Sequence, residues 1–414
     1  MGAEDPSAIR NHSSRCAAPV LEGLRRPLTG IRVLAFEQAL AMPYCSWVLA
    51  EMGADVIKLE RPGRGDVIRG WDAAVRGLST GFVWVNAGKR DVGLDLGRPE
   101  GQEVARSLAT KADVFLENFA PGVAQRLGLG YPDLQQANDR LVYCSISGYG
   151  QTGPYANRKA YDLLIQGEAG LILTTGQGEA PAKVGLPITD LVAGTNAALA
   201  VVLALRQREQ SGRGCYLDVS LFDSTLAWLG YYPQHYWADG SEPPRTGMRH
   251  QYLVPYGPYL ASDDRYVSLV VASEEDWRRF CTAVVRRPDW LTDQRFAGAA
   301  SRTSHRAELE ALVEAAISAE PAATWLERLE MAGLAYGEVR SIADVVAHPQ
   351  VTARRMAVST DSPVGELPLI RFPLAAADSK RRLPALGEHT DQVLEEAGYS
   401  RDEVARLRRE GVIS

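Results

Sequence analysis

The chain has 414 residues, 46% of them hydrophobic and 23% charged, with 45 Lys and Arg against 51 Asp and Glu and a net charge of -6. That length exceeds one simple core and predicts two domains, or a large domain with a second lobe. The acidic balance and the lack of any Lys/Arg block argue against nucleic-acid and membrane-surface partners, which need a basic face.

Residues 1–26 hold no apolar stretch of signal-peptide length and read as a flexible N-terminal extension. A strand is expected over residues 31–36, a helix over 43–52 closed by Gly53, and a strand over 55–60, together a βαβ unit. A helix over 99–111, a strand over 113–117, helices over 123–127 and 131–138, and a strand over 141–145 continue the alternation. This predicts an α/β fold with a Rossmann-like, doubly wound parallel sheet. Thr189 or Asp190 then caps a helix running to about Gln210, ended by Gly212 and Gly214. A strand over 215–221 and a helix over 224–237 follow.

Beyond them, the turn-rich Asp239-Gly240-Ser241-Glu242-Pro243-Pro244 marks a boundary. Strands over 256–260 and 266–271 form an antiparallel hairpin, and helices over 275–285, 305–317 and 322–331 complete a smaller α+β lobe. The expected division is a large α/β domain over 27–238, a small α+β domain over 239–335, and a linker with a return to the large domain over 336–414.

Cys16, Cys45, Cys144, Cys215 and Cys281 are widely spaced and form no C-x-x-C pair, so neither a disulfide framework nor a zinc site is indicated. A cytoplasmic location is expected. The six histidines form no H-E-x-x-H or other ligand spacing, which argues against a catalytic metal. Gly148-Tyr149-Gly150-Gln151-Thr152-Gly153 matches G-x-G-x-x-G after a strand, but Pro154 follows and no apolar helix opens there to aim its N-terminus at a pyrophosphate.

Asp190 stands alone between an extended apolar run and a helix that carries no further charge until Arg206; the one cation close behind it is Lys183. It fits two roles. One is an N-cap whose carboxylate takes free backbone N–H groups at the positive end of the helix dipole. The other is a nucleophile held ionised by those same groups. Cations near strand ends, Arg61, Lys89, Arg90 and Arg126, suggest as a group a phosphorylated ligand, although each alone reads as solvated surface.

Five blocks carry a family likeness: Leu49-Ala50-Glu51-Met52-Gly53-Ala54-Asp55-Val56-Ile57-Lys58-Leu59-Glu60, Asn86-Ala87-Gly88-Lys89-Arg90, Glu117-Asn118-Phe119-Ala120-Pro121-Gly122, Ser147-Gly148-Tyr149-Gly150-Gln151-Thr152-Gly153-Pro154 and Leu386-Gly387-Glu388-His389-Thr390-Asp391. From about Leu28 onward the chain resembles the class III CoA-transferases, with α-methylacyl-CoA racemase among their relatives. The resemblance implies that Asp190 is the nucleophile, passing through a mixed anhydride and an aspartyl-CoA thioester without ATP or metal. It implies CoA contacts at Ala39, Ala41, Arg61, Leu94, Asn118, Phe119, Arg126, Lys159 and Tyr161. It also implies an interlaced homodimer, with CoA as substrate and no permanently bound cofactor.

Racemase members carry a His where this chain has Tyr161, so the second base for α-proton transfer is missing and transfer is favoured. Formyl-type members have a polar residue at the position of Leu40. The segment from Arg245 to Tyr256 looks more like the branch acting on succinyl-CoA and small dicarboxylates, with Arg249 and His250 as contacts to the acceptor's distal carboxylate. For His250 a structural hydrogen bond is an equal alternative. The expected activity is CoA transfer from an acyl-CoA such as succinyl-CoA to a small carboxylic or dicarboxylic acid. An acyl-CoA racemase or epimerase, or a silent CoA-binding protein, stands as the alternative.

Overall fold

A computed structural model describes residues 25–376 and 381–414. The extension expected over residues 1–26 lies, apart from Arg25 and Arg26, outside the described residues. The chain divides into two compact units. The first takes the chain up to Ala160, Thr189–Ser224 and Thr352–Ser414, and the second takes Tyr161–Ile188 and Thr225–Val351.

The first unit is built on β1 (Arg32–Phe36), α1 (Ala41–Glu51), β2 (Asp55–Glu60), α2 (Thr80–Asn86), β3 (Arg90–Gly93), α3 (Pro99–Thr110), β4 (Val114–Glu117), α4 (Val123–Arg126), α5 (Tyr131–Ala137), β5 (Val142–Ser147), α6 (Ile188–Ser211) and β6 (Tyr216–Ser220). The six strands form one sheet in the order β3-β2-β1-β4-β5-β6. Every pairing in it is parallel. Parallel strands covered on both faces must be apolar throughout. All four residues of β4 and all six of β5 are buried.

The chain starts at the sheet's centre, runs outward to β3, and returns through α3 to place β4 on the other side of β1. The carboxyl ends of β1 and β4 therefore feed loops that diverge, and the crevice between them is where open α/β sheets bind ligands. One core packs Leu34, Ile57, Phe115 and Tyr143 from the strands against Val104 and Leu108 of α3. Leu394 and Leu407, from α7 (Thr390–Ala397) and α8 (Arg401–Arg409), close the same core. The C-terminal return thus belongs to this unit, and a capping box between Ser400 and Glu403 starts its last helix.

Two expected boundaries move for identifiable reasons. α1 begins at Ala41, two residues before Pro43, because the first-turn N–H groups of a helix have no intrahelical partner and a proline there costs no bond. The helix expected over 224–237 is two helices, Leu221–Trp228 and Tyr232–Asp239. The chain breaks between them at Gly230, whose φ of 61° is left-handed.

α6 is long and apolar enough, by length and composition, to cross a membrane, but half of its most apolar window is buried inside the protein. Val192, Ala193, Ala197 and Val201 form its inward side.

The second unit holds the expected hairpin, Tyr256–Leu260 against Tyr266–Val270, and adds a third antiparallel strand, Ala335–Glu338. Trp277, Phe280, Phe296, Leu309, Val313 and Trp325 fill its core. It extends beyond the lobe expected over 239–335. The short strand Gly176–Gln177 is tied to the 245–247 segment by Gly247 N–H donating to Gly176 O at 2.8 Å and by Arg245 Nε donating to Gly178 O at 2.7 Å. Those long-range bonds draw residues 161–188 into the second unit.

Candidate active site

At the carboxyl end of β1 the chain turns through Glu37, Gln38 and Ala39 into α1. Asn118, just past β4, holds this turn from one side. Its Oδ1 accepts from Gln38 N–H at 3.0 Å and its Nδ2 donates to Gln38 O at 2.8 Å. The next residue, Ala39, has φ of 61°, a left-handed conformation that costs a non-glycine residue about 1–2 kcal/mol. Its N–H donates to Asp66 Oδ1 at 2.9 Å. Asp66 is itself fixed, accepting from Ile68 N–H at 3.0 Å and from Lys58 Nζ at 2.7 Å.

Behind this turn lies a buried charge cluster. Lys58, Lys89 and Glu37 have wholly buried side chains, with Lys89 Nζ 2.8 Å and Lys58 Nζ 3.4 Å from Glu37 Oε1. Lys89 also donates to Pro43 O and Asn86 Oδ1, both at 3.0 Å. Desolvation pushes its ammonium down to about 8 against the pull of Glu37. Arg90 pairs with Asp55 and Glu396. Lys89 and Arg90, grouped by sequence with ligand-binding cations, are therefore structural ions. A buried charge is costly unless it is paired and hydrogen-bonded, and these partners meet that need.

Phe119 stacks on Phe36 with ring centroids 3.9 Å apart, so the two diverging loops share an aromatic wall. Its N–H donates to Glu117 Oε2 at 2.9 Å. Burial pushes Glu117 up to about 7, outweighing its hydrogen bonds with Ser145 and Phe119.

Asp190 lies in the first turn of α6 rather than at its cap, because the helix already begins at Ile188 after Pro187. The macrodipole favours a carboxylate there as at a cap. Gly194 is four residues on and shares its face of the helix. A Cβ on Gly194 would stand 2.5 Å from Ala41 O and 3.1 Å from the Tyr44 ring. The Asp190 face of α6 thus meets the start of α1, and Tyr44 hydrogen-bonds the side chain of Thr195. The N-terminus of α1, whose first N–H groups lack intrahelical partners, therefore lies against the second turn of α6, one turn on from Asp190.

Of the cations expected to bind phosphates, Arg61 follows β2, Arg126 ends α4 and Lys159 lies beyond β5; all three are exposed. Leu94 is 2% exposed and bridges Ile413, so its side chain is core. Ala41 is buried under Gly194. The glycine-rich segment 148–153 starts no helix, and its Gln151 N–H donates to the Asp218 carboxylate at 2.9 Å.

In the second unit, Tyr161 precedes the helix Asp162–Glu168 and is 73% exposed. Arg249, expected to face an acceptor, donates instead to Glu310 through Nε and to Glu314 through Nη2, both at 2.9 Å, with its guanidinium 3.9 Å from the Tyr259 ring centroid. His250 Nδ1 accepts from Tyr252 and Leu253 N–H, each at 3.1 Å, and the ring stacks on Tyr256. Its structural alternative is the one the geometry displays. Asp66 and Lys58 were missed by sequence reasoning; the available signal was a lysine between Ile57 and Leu59 in a buried strand.

The sequence pattern of CoA-transferase family III matches residues 28–390. Succinyl-CoA:glutarate CoA-transferase of Mus musculus is 33% identical over 396 residues, covering 94% of this chain and 90% of its own. Acetyl-CoA:oxalate CoA-transferase of Acetobacter aceti is 36% identical over 336 residues, covering 81% and 86%. Among solved structures, a CAIB/BAIF family protein from Brucella suis superposes with a TM-score of 0.79 at 34% identity, covering 90% of this chain and 99% of that one. With the parallel sheet and the switch-point crevice already in place, these matches identify the chain as an enzyme of CoA-transferase family III.

Proposed function

We propose that this enzyme moves CoA from an acyl-CoA, with succinyl-CoA as the leading donor, to a small dicarboxylic acid, with Asp190 as nucleophile. The observation that carries the reading is the meeting of the Asp190 face of α6 with the N-terminus of α1. Similar enzymes named for succinyl-CoA with glutarate, mesaconate or citramalate support the substrate class.

A carboxylate oxygen of Asp190 attacks the thioester carbonyl carbon, and the C–S bond breaks as CoA thiolate leaves with the electron pair. The thiolate attacks the Asp190 carbonyl of the resulting anhydride, releasing the donor acid and leaving an aspartyl-CoA thioester. The acceptor carboxylate then expels the thiolate from Asp190, and the thiolate in turn attacks the acceptor carbonyl, freeing Asp190. One activated acyl bond is exchanged for another at each step, so no proton is gained or lost overall. Each tetrahedral oxyanion needs donors already in place, and first-turn N–H groups of α1 and α6 suit that role.

Phe119 offers a flat face for adenine, and Arg61, Arg126 and Lys159 offer exposed charge for phosphates. The reading includes a homodimer, supported by Leu199 at 58% and Leu203 at 60% exposure along α6, an apolar stripe suited to a second copy. Cys45, Cys144, Cys215 and Cys281 are free thiols, which suits a cytoplasmic enzyme. The test is incubation with succinyl-CoA and a panel of carboxylic acids, followed by mass spectrometry. Formation of a new acyl-CoA with a dicarboxylate is expected; absence of exchange with every acid would sink the reading.

A further inference from the structure

We propose that Asp66 is a positioning residue for the transfer reaction, holding Ala39 in its left-handed conformation so that the first N–H groups of α1 face the acyl carbon carried by Asp190. This inference rests on the transferase reading. Its basis is a backbone outlier at one particular place. Ala39 has φ of 61°, and a non-glycine residue stays there only when its surroundings over-determine it. Here they do: Asn118 binds both backbone groups of Gln38, and Asp66 takes the N–H of Ala39 at 2.9 Å.

Asp66 cannot swing away. It is 5% exposed, its Oδ2 is 2.7 Å from the buried Lys58 ammonium, and its own N–H donates to Glu60 Oε2 at 2.6 Å. Two side chains from separate loops, Asn118 and Asp66, therefore fix two consecutive residues that lead into α1, and Lys58 and Glu60 hold Asp66 in turn. The start of that helix is the surface on which the Asp190 face of α6 rests, with Ala41 O 2.5 Å from a Cβ placed on Gly194. If Ala39 relaxed to negative φ, the turn would unroll and the α1 N–H groups would rotate away from the developing oxyanion. Substrate binding by the exposed cations and by Phe119 would be little changed, so the loss should fall on turnover.

The experiment compares full-length wild type, Asp66→Ala and Asp66→Ala/Ala39→Gly in steady-state CoA transfer from succinyl-CoA, with thermal melting alongside. Asp66→Ala should lose about 100-fold in kcat, the scale of one missing oxyanion donor, with KM for the acyl-CoA within about threefold. Glycine populates positive φ without the clamp, so adding Ala39→Gly should restore kcat at least about tenfold while the melting temperature stays well below that of wild type. A purely structural role would not produce that separation. Because Asp66→Ala leaves Lys58 buried without this partner and can fail to fold, Lys58→Met/Asp66→Asn and Lys58→Met/Asp66→Leu form a second pair. Only the amide keeps an acceptor for Ala39, so it should turn over at least about tenfold faster than the leucine variant.

Wild-type kcat in Asp66→Ala, no recovery with glycine, or equal turnover in the second pair would overturn the inference. A wild type inactive with every acid would instead count against the transferase reading.

Discussion

Gly194 lies so close to Ala41 that a single added methyl would stand 2.5 Å from the Ala41 carbonyl oxygen. That distance is well inside van der Waals contact, and the obstacle is backbone, which cannot rotate aside. Gly194→Ala should therefore push α6 away from α1, at a cost of about 1–3 kcal/mol for overpacking. A displacement of about 1 Å at Asp190 should lower kcat/KM about 100-fold. A variant with wild-type kcat/KM and an unchanged melting temperature would show that the two helices do not need this contact.

Asn118→Asp keeps the shape of the Gln38 clamp but removes its N–H donor, and sets a carboxylate oxygen against Gln38 O. Loss of that bond and the new repulsion should destabilise the protein by about 1–3 kcal/mol. Turnover should fall by more than tenfold as the turn into α1 loosens. Differential scanning calorimetry and steady-state kinetics check both numbers.

Glu117 supplies a pH signature. Its carboxyl is pushed from 4.5 up to about 7 by burial. A carboxyl raised in the folded state contributes its full stability below about pH 4.5 and loses it as pH climbs through 7, because the unfolded chain ionises first. Glu117→Gln cannot ionise and can still accept from Phe119 N–H. Its stability relative to wild type should rise between pH 4.5 and 7 by on the order of 3 kcal/mol. Denaturant titrations at pH 4.5, 6 and 8 measure this; a difference that does not change with pH would remove the assignment.

Arg249→Ala tests whether that guanidinium recognises substrate or holds the second unit together. The variant removes the cation over the Tyr259 ring and leaves Glu310 with Arg306, 3.6 Å away, as its remaining cation. A stability loss of about 2–3 kcal/mol is expected, with the KM for the carboxylate acceptor unchanged within about twofold. A selective rise in acceptor KM at wild-type stability would return Arg249 to the binding site.

Much of this architecture is legible in the sequence, because strands covered on both faces must be written as apolar runs. Val142–Ser147 and Val114–Glu117 are readable for that reason. Links across long chain separations are not. Nothing local near Ala39 announces that Asp66, 27 residues on, takes its N–H, or that Asn118, 80 residues from Gln38, clamps the same turn. Asn118 reads from a family likeness as a ligand contact, whereas its amide is engaged with the backbone of the turn. Likewise Lys89 and Arg90 read as free cations because their carboxylate partners, Glu37, Asp55 and Glu396, come from other parts of the chain. Asp190 was visible as an isolated acid, but its place inside the first turn depends on the helix starting at Ile188.

Covalent carriage of CoA by Asp190, as proposed, is tested directly on the peptide that contains it. Wild type and Asp190→Ala are each mixed with succinyl-CoA, quenched in acid, and analysed by peptide mass spectrometry. A CoA thioester is expected on the wild-type peptide containing Asp190, lost when a dicarboxylate acceptor is added, with neither adduct nor turnover in a folded Asp190→Ala. Wild-type turnover in Asp190→Ala, or a CoA adduct confined to another residue, would contradict it.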